Sequence, residues 1–257
     1  MTTQAAPSFD LTGQLACVTG ASAGIGQALA TGLARAGASV VGVARRVNAL
    51  DAWKDENLKA GLSIGTFQAD LSNPGDVEDI AQAITAEFGA PSILVNAAGM
   101  NPRRPADSIT PDEWQATLDL NLSTPFFLAR AFVAGMRSKG WGRIINIASL
   151  QSARAFANGV AYGASKGGLA QVTRAMAEAW SSDGINCNAI APGFFPTQLT
   201  SSVFADEASV ARMAAQTCIG RNGALDDLVG PAVFLASPAS DYVTGQVLFV
   251  DGGYTAK

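Results

Sequence analysis

The sequence predicts a single α/β domain built on a doubly wound parallel sheet of seven strands with helices on both faces. Three observations carry that prediction. Short apolar, β-branched runs recur at 15–19, 39–44, 63–68, 92–96, 143–149, 186–191 and 246–250, with helical periodicity between successive runs. Strands separated by helices pair in parallel through right-handed crossovers, which places helices on both faces. No repeat, linker or low-complexity segment interrupts the alternation, so residues 1–257 are assigned to one domain, long enough to bury a large core.

Taken in order, the first strand runs into Gly20-Ala21-Ser22-Ala23-Gly24-Ile25-Gly26 and then an alanine-rich helix. Glycines permit a tight turn and let backbone approach a pyrophosphate, which the free N–H groups of a helix N-terminus can bind. The spacing is Gly-x-x-x-Gly-x-Gly and departs from the Gly-x-Gly-x-x-Gly fingerprint. The second strand ends in Ala44-Arg45-Arg46, with no acid at that turn. A carboxylate there accepts ribose hydroxyls, whereas arginine offers planar charged donors to a phosphate monoester. Asp70-Leu71 follows the third strand and Asn96-Ala97-Ala98-Gly99 closes the fourth. A long helix is expected over 111–139, with Asn121, a poor helix former, in its middle.

The fifth strand ends at Ser149, and the next helix carries Tyr162 and Lys166 four residues apart. On a helix such positions share one face, so phenol and ammonium point into one cleft. A tyrosine has a pKa near ~10, and a neighbouring cation lowers it toward the range of a useful base. The chain contains no histidine, which removes the usual general base and the commonest metal ligand. Its three cysteines, Cys17, Cys187 and Cys218, are scattered without metal-ligand spacing, so no metal site is expected, and two of them sit in apolar runs as buried thiols. Pro192-Gly193-Phe194 follows the sixth strand, and 194–222 mixes polar and apolar residues without a clean period. The last strand, 246–250, is an edge that assembly would cover.

A net charge of −4 and a pI near 4.8 argue against nucleic acid or an anionic membrane surface as partner. No apolar run approaches the ~20 residues of a membrane span. The first ten residues carry no basic stretch followed by an apolar one, so a cytoplasmic location is expected.

Together, Thr19–Gly26, Asn96-Ala97-Ala98-Gly99, Asn121, Ser149, Tyr162-x-x-x-Lys166 and Pro192-Gly193 with Thr197 resemble the short-chain dehydrogenase/reductase family over nearly the whole chain. The resemblance implies a Rossmann-type fold with strand order 3-2-1-4-5-6-7. It also implies hydride transfer between a nicotinamide cofactor and a secondary alcohol or ketone. By the same resemblance, Tyr162 exchanges the proton, Lys166 binds the nicotinamide ribose and lowers the phenol's pKa, Ser149 bonds the oxyanion, and Asn121 holds a water linking Lys166 to solvent. Gly20, Ser22, Ala23, Gly24, Ile25, Gly26, Arg45, Arg46, Asp70 and Leu71 would line the adenosine and diphosphate side. Asn96, Ala97, Ala98, Gly99, Pro192, Gly193, Phe194 and Thr197 would complete the cofactor site. The paired arginines favour NADP(H), with NAD(H) the alternative because Ala23 lacks the basic residue of many NADP-preferring relatives.

For substrate, Ser149, Gln151, Arg154, Tyr162 and Phe195 are the expected contacts, with Asn101, Arg103, Arg104, Asn158 and Gln198 as further pocket candidates. This largely polar set favours a sugar, sugar acid or polyol over a steroid or acyl chain. Arg103-Arg104, Ser149-Leu150-Gln151 and 226–237 also resemble bacterial sugar-acid dehydrogenases of the gluconate 5-dehydrogenase and 2-deoxygluconate 3-dehydrogenase type. The alternatives are a 3-oxoacyl-carrier-protein reductase and, from another class, a non-catalytic nucleotide-sensing or scaffold protein. The segment 194–222 is read as the substrate loop. A homotetramer is expected.

Overall fold

Strands that are apolar on both faces can only be central, and the computed structural model, which describes residues 8–257, places them so. Residues 1–7, on which much of the secretory-signal reading rests, lie outside the described residues. The strands are β1 (Leu15–Thr19), β2 (Ser39–Ala44), β3 (Ile64–Gln68), β4 (Ile93–Asn96), β5 (Gly142–Ile147), β6 (Ile185–Pro192) and β7 (Val247–Val250). They form one parallel sheet in the order β3-β2-β1-β4-β5-β6-β7, as expected.

Side-chain alternation divides the core in two. Ala16 and Val18 of β1 point toward α1 (Gly24–Arg35), α2 (Val47–Lys59) and a later helix at Val229–Ala236. Cys17 points the other way, toward α3 (Val77–Phe88) and the long helices between β4 and β6. Both Cys17 and Cys187 are buried, and desolvation pushes each thiol up to about 12, so they are inert fillers. Cys218 is exposed.

The single helix expected over 111–139 is interrupted. Thr110 and Glu113 form a capping box that starts α4 (Pro111–Leu118). A π-helical turn at Asp119–Ser123 follows, and Pro125 helps start α5 (Thr124–Lys139). The bulge turns Asn121 fully inward, to 0% exposure. Next come α6 (Val160–Trp180), α7 (Ser201–Phe204), α8 (Glu207–Gln216) and α9 (Val229–Ala236). Among the described residues no helix is long and apolar enough to cross a membrane.

Candidate active site

A cleft of about 530 Å³ opens at the carboxyl ends of β1, β4, β5 and β6, where ligands bind in open α/β sheets. Its floor is the glycine turn. Gly20 has φ +71°, and a Cβ there would lie 2.9 Å from the Ala98 backbone nitrogen. A Cβ on Gly26 would run into the Gly20 carbonyl, so neither position accepts a side chain. Helix α1 starts at Gly24 with no side-chain cap and no acid in its first turn. Its N–H groups are therefore left for an anion.

The two arginines after β2 part company. Arg45 leans on Asp70 at 3.6 Å, both side chains more than half exposed. Arg46 turns over the glycine turn, where Nε and Nη2 donate to Ser22 Oγ at 3.2 and 2.9 Å and Nη1 donates to Gln198 Oε1 at 2.9 Å. A glycine cradle, an uncapped helix start and an arginine without an acidic partner suit a dinucleotide bearing a further phosphate.

Across the cleft, Ser149 caps a 3₁₀ turn at Leu150–Ser152, its Oγ accepting from Gln151 N at 3.1 Å. Ser152 Oγ donates to Lys166 O at 2.8 Å, tying this turn to α6 and fixing Ser149 beside Tyr162. Lys166 is 4% exposed, and its Nζ donates to Ile147 O at 2.6 Å and lies 5.7 Å from the Tyr162 ring centre. Asn121 Nδ2 donates to Met100 O at 2.9 Å and to Ser165 Oγ at 3.1 Å, while its Oδ1 accepts from Met100 N at 2.9 Å. The asparagine thus bolts the loop after Gly99 to α6.

Burial weighs on both titratable groups at this end of the cleft. Burial raises the Tyr162 phenol above its ordinary value, and the Ser149 hydroxyl and the Arg103 charge offset this only in part. Burial also brings the Lys166 ammonium down to about 8. Arg103, whose charge lowers the phenol, lines the cleft with φ +52° and donates from Nη2 to Leu199 O at 3.2 Å.

Most expected cofactor contacts line the cleft: Gly20, Ser22–Gly26, Arg45, Arg46, Asp70, Leu71, Ala97–Gly99, Tyr162, Lys166, Pro192–Phe194 and Thr197. Asn96 does not. Its side chain is buried under the floor, donating to Asn146 Oδ1 at 2.9 Å and Pro125 O at 3.2 Å, because strand parity turns it into the core. Of the substrate candidates, Ser149, Gln151, Tyr162, Phe195, Asn101, Arg103 and Gln198 line the cleft, Phe195 at only 3% exposure. Arg154 lies elsewhere, 5.6 Å over the Tyr254 ring and donating to Tyr254 O at 3.4 Å. The 3₁₀ turn after Ser149 carries it past the cleft. Arg104 pairs with Glu113 at 2.7 Å, and Asn158 is an exposed turn residue with φ +59°.

Sequence reasoning missed Phe156 and Leu199, which also line the cleft. Phe156 meets Phe194 at 5.9 Å and Tyr254 at 6.1 Å, forming an aromatic wall. Its place between Ser149 and Tyr162 was the available signal.

A nucleotide cradle facing a Ser, Tyr and Lys cluster defines a nucleotide-dependent oxidoreductase. A family model described as Enoyl-(Acyl carrier protein) reductase matches residues 20–255, and the chain belongs to this short-chain dehydrogenase/reductase family, acting on CH–OH donors. It is 40% identical over 249 residues to gluconate 5-dehydrogenase of Gluconobacter oxydans (strain 621H), covering 97% of each chain. It is 39% identical over 255 residues to 2-dehydro-3-deoxy-D-gluconate 5-dehydrogenase of Escherichia coli (strain K12), covering 97% of this chain and 98% of the relative. A solved gluconate 5-dehydrogenase from Burkholderia cenocepacia J2315, in complex with NADP and tartrate, superposes with a TM-score of 0.93 at 39% identity. That match covers 97% of this chain and 98% of the other.

Proposed function

We propose that this chain is an NADP(H)-dependent dehydrogenase that interconverts a secondary alcohol and ketone of a sugar acid, sugar or polyol. The observation that carries the reading is the Ser149, Tyr162 and Lys166 cluster sharing one cleft with Arg46 and Arg103. A bound nicotinamide supplies the hydride acceptor or donor. The chain's own groups handle the proton and the oxygen. Tyr162 exchanges the proton with the reacting hydroxyl, and the Ser149 hydroxyl donates to the oxygen as it gains charge. Lys166 holds the ribose while its bond to Ile147 O fixes its reach. Asn121 keeps the loop after Gly99 in register, and the water it would hold links Lys166 to solvent.

Arg103 gives a carboxylate a partner beside Tyr162, and Gln151 offers a side-chain oxygen that is buried and unpartnered. Both features suit a hydroxylated acid. The relatives named for gluconate chemistry, one of them in complex with NADP, support this choice. Relatives named 3-oxoacyl-[acyl-carrier-protein] reductase, 37% and 36% identical, keep reduction of a 3-oxoacyl thioester as the competing reading.

Assembly is proposed as a cytoplasmic homotetramer. Phe126 stacks on Trp180 at 6.3 Å along α5 and α6, β7 leaves Leu248 exposed on an open sheet edge, and Tyr242 is fully exposed. Light scattering tests the tetramer, and a monomer overturns it. For the reaction, absorbance at 340 nm is followed with NADP⁺ or NAD⁺ and gluconate, 2-deoxygluconate, polyols and sugars, and with NADPH and an acetoacetyl thioester. NADP⁺-dependent oxidation of a sugar acid supports the proposal, and turnover of the thioester alone overturns it.

A further inference from the structure

The contacts of Arg46 separate orientation from neutralisation. Arg45, one residue earlier, faces a carboxylate, and its charge is offset by Asp70. Arg46 has no acidic partner among the described residues; its three hydrogen bonds go to a hydroxyl and a side-chain amide oxygen, both neutral. Guanidinium carries five N–H donors. Three are used, so one on each terminal nitrogen is left to take a ligand. The fork is held in place with its charge intact.

The second anchor comes from far away in sequence. Gln198 begins a 3₁₀ turn, Gln198–Thr200, in the loop after β6. That turn is itself tied down: Thr197 N donates to Thr200 Oγ1 at 3.0 Å, and Arg103 Nη2 donates to Leu199 O at 3.2 Å. Thr197 also lies against the glycine turn, 3.4 Å from where a Cβ on Gly24 would stand. Three segments therefore meet at one guanidinium: the glycine turn, the end of β2 and the substrate loop.

We propose that Gln198 is a specificity-determining positioning residue that holds Arg46 ready for a phosphate monoester on the adenosine ribose, making the substrate loop part of the cofactor-selecting site. This rests on the NADP(H) reading above. An arginine already oriented loses less side-chain freedom when it binds, so the anchor favours the phosphorylated ligand alone. A ligand without that phosphate gains nothing from it.

The test is binding to the intact protein, read by calorimetry with 2′,5′-ADP and 5′-AMP as probes. Gln198 is exposed, so its replacement leaves the core alone. Gln198→Met, of similar length but without the acceptor, is expected to weaken 2′,5′-ADP about fivefold to tenfold and leave 5′-AMP unchanged. Gln198→Glu keeps an acceptor but adds a charge that neutralises Arg46 and repels phosphate, so 2′,5′-ADP should weaken further. Amide exchange gives a second reading: 2′,5′-ADP should protect residues 197–204 in the parent protein and not in Gln198→Met. Equal weakening of both nucleotides, or no change in either, overturns the proposal. Arg46→Ala separates the two levels. If it abolishes the preference for 2′,5′-ADP while Gln198→Met does not touch it, only the role of Gln198 falls. If Arg46→Ala leaves the preference intact, the NADP(H) reading falls and takes this inference with it.

Discussion

Strand β6 and helix α8 are separated by only a short stretch of chain and could hardly be held more differently. All eight residues of Ile185–Pro192 are buried, whereas none of the ten residues of Glu207–Gln216 is. The strand is fixed by two neighbours, β5 and β7, and by packing on both faces of the sheet. The helix begins with a side-chain cap from Asp206 to Ser209 N at 2.9 Å and rests on the surface. The difference teaches where this molecule puts precision and where it puts give. The cleft is built on the ends of rigid strands, whereas α8 lies on the surface with no buried residue and contributes none to the cleft lining.

The largest effect expected on the rigid side is chemical. Tyr162→Phe removes the oxygen proposed to exchange the proton and leaves the ring's packing, so kcat should fall by about 10²–10⁴ with nucleotide binding unchanged. A fall below tenfold, in steady-state assays at saturating cofactor, would move proton transfer to another group.

Stability gives the next contrast. Ile190 in β6 is 0% exposed, and Ile190→Ala should cost about 2–5 kcal/mol in denaturant unfolding. The contrast with α8 depends on that value, and a cost below about 1 kcal/mol would mean the sheet centre can collapse around the gap.

Titration sharpens the comparison from within the site. Lys166 folds with a pKa of about 8 against an ordinary 10.5, the shift being caused by burial. Between those values the unfolded lysine holds a proton that the folded one has lost, so stability rises with pH across that window. Tyr162 acts oppositely: its raised pKa keeps the folded phenol protonated after the unfolded one ionises, so stability falls with pH above about 10. The free protein should therefore gain on the order of 2–3 kcal/mol from pH 8 to 10 through Lys166, and Lys166→Met should flatten that rise in pH-dependent melts. A Lys166→Met protein with the same slope would assign the titration to another group.

These assignments also mark how far the sequence could be read. The strands were legible because two-sided burial leaves unbroken apolar runs, as in Ile185–Pro192. Gly20 and Gly26 were legible because nothing larger fits. Asn121 was found, but not its setting, since a π turn leaves no mark in hydrophobic periodicity. Distance along the chain from Ser149 suggested Arg154, yet a single 3₁₀ turn sends it to Tyr254. Proximity of Lys166 to Tyr162 was correctly read from i,i+4 spacing, but spacing says nothing about burial, and burial decides both pKa values. The meeting of Arg46 with Gln198 spans 152 residues and has no local signature.

The smallest effect completes the pairing with β6. Met213 on α8 is only part-buried, so Met213→Ala should change global stability by less than about 1 kcal/mol, against several for Ile190→Ala. The helix buries none of its residues, so it should open on its own, and its amides should exchange well before those of β6. Exchange measured peptide by peptide distinguishes the cases. If α8 and β6 exchange together in the free protein, they form one cooperative unit, and the contrast between strand and surface helix fails.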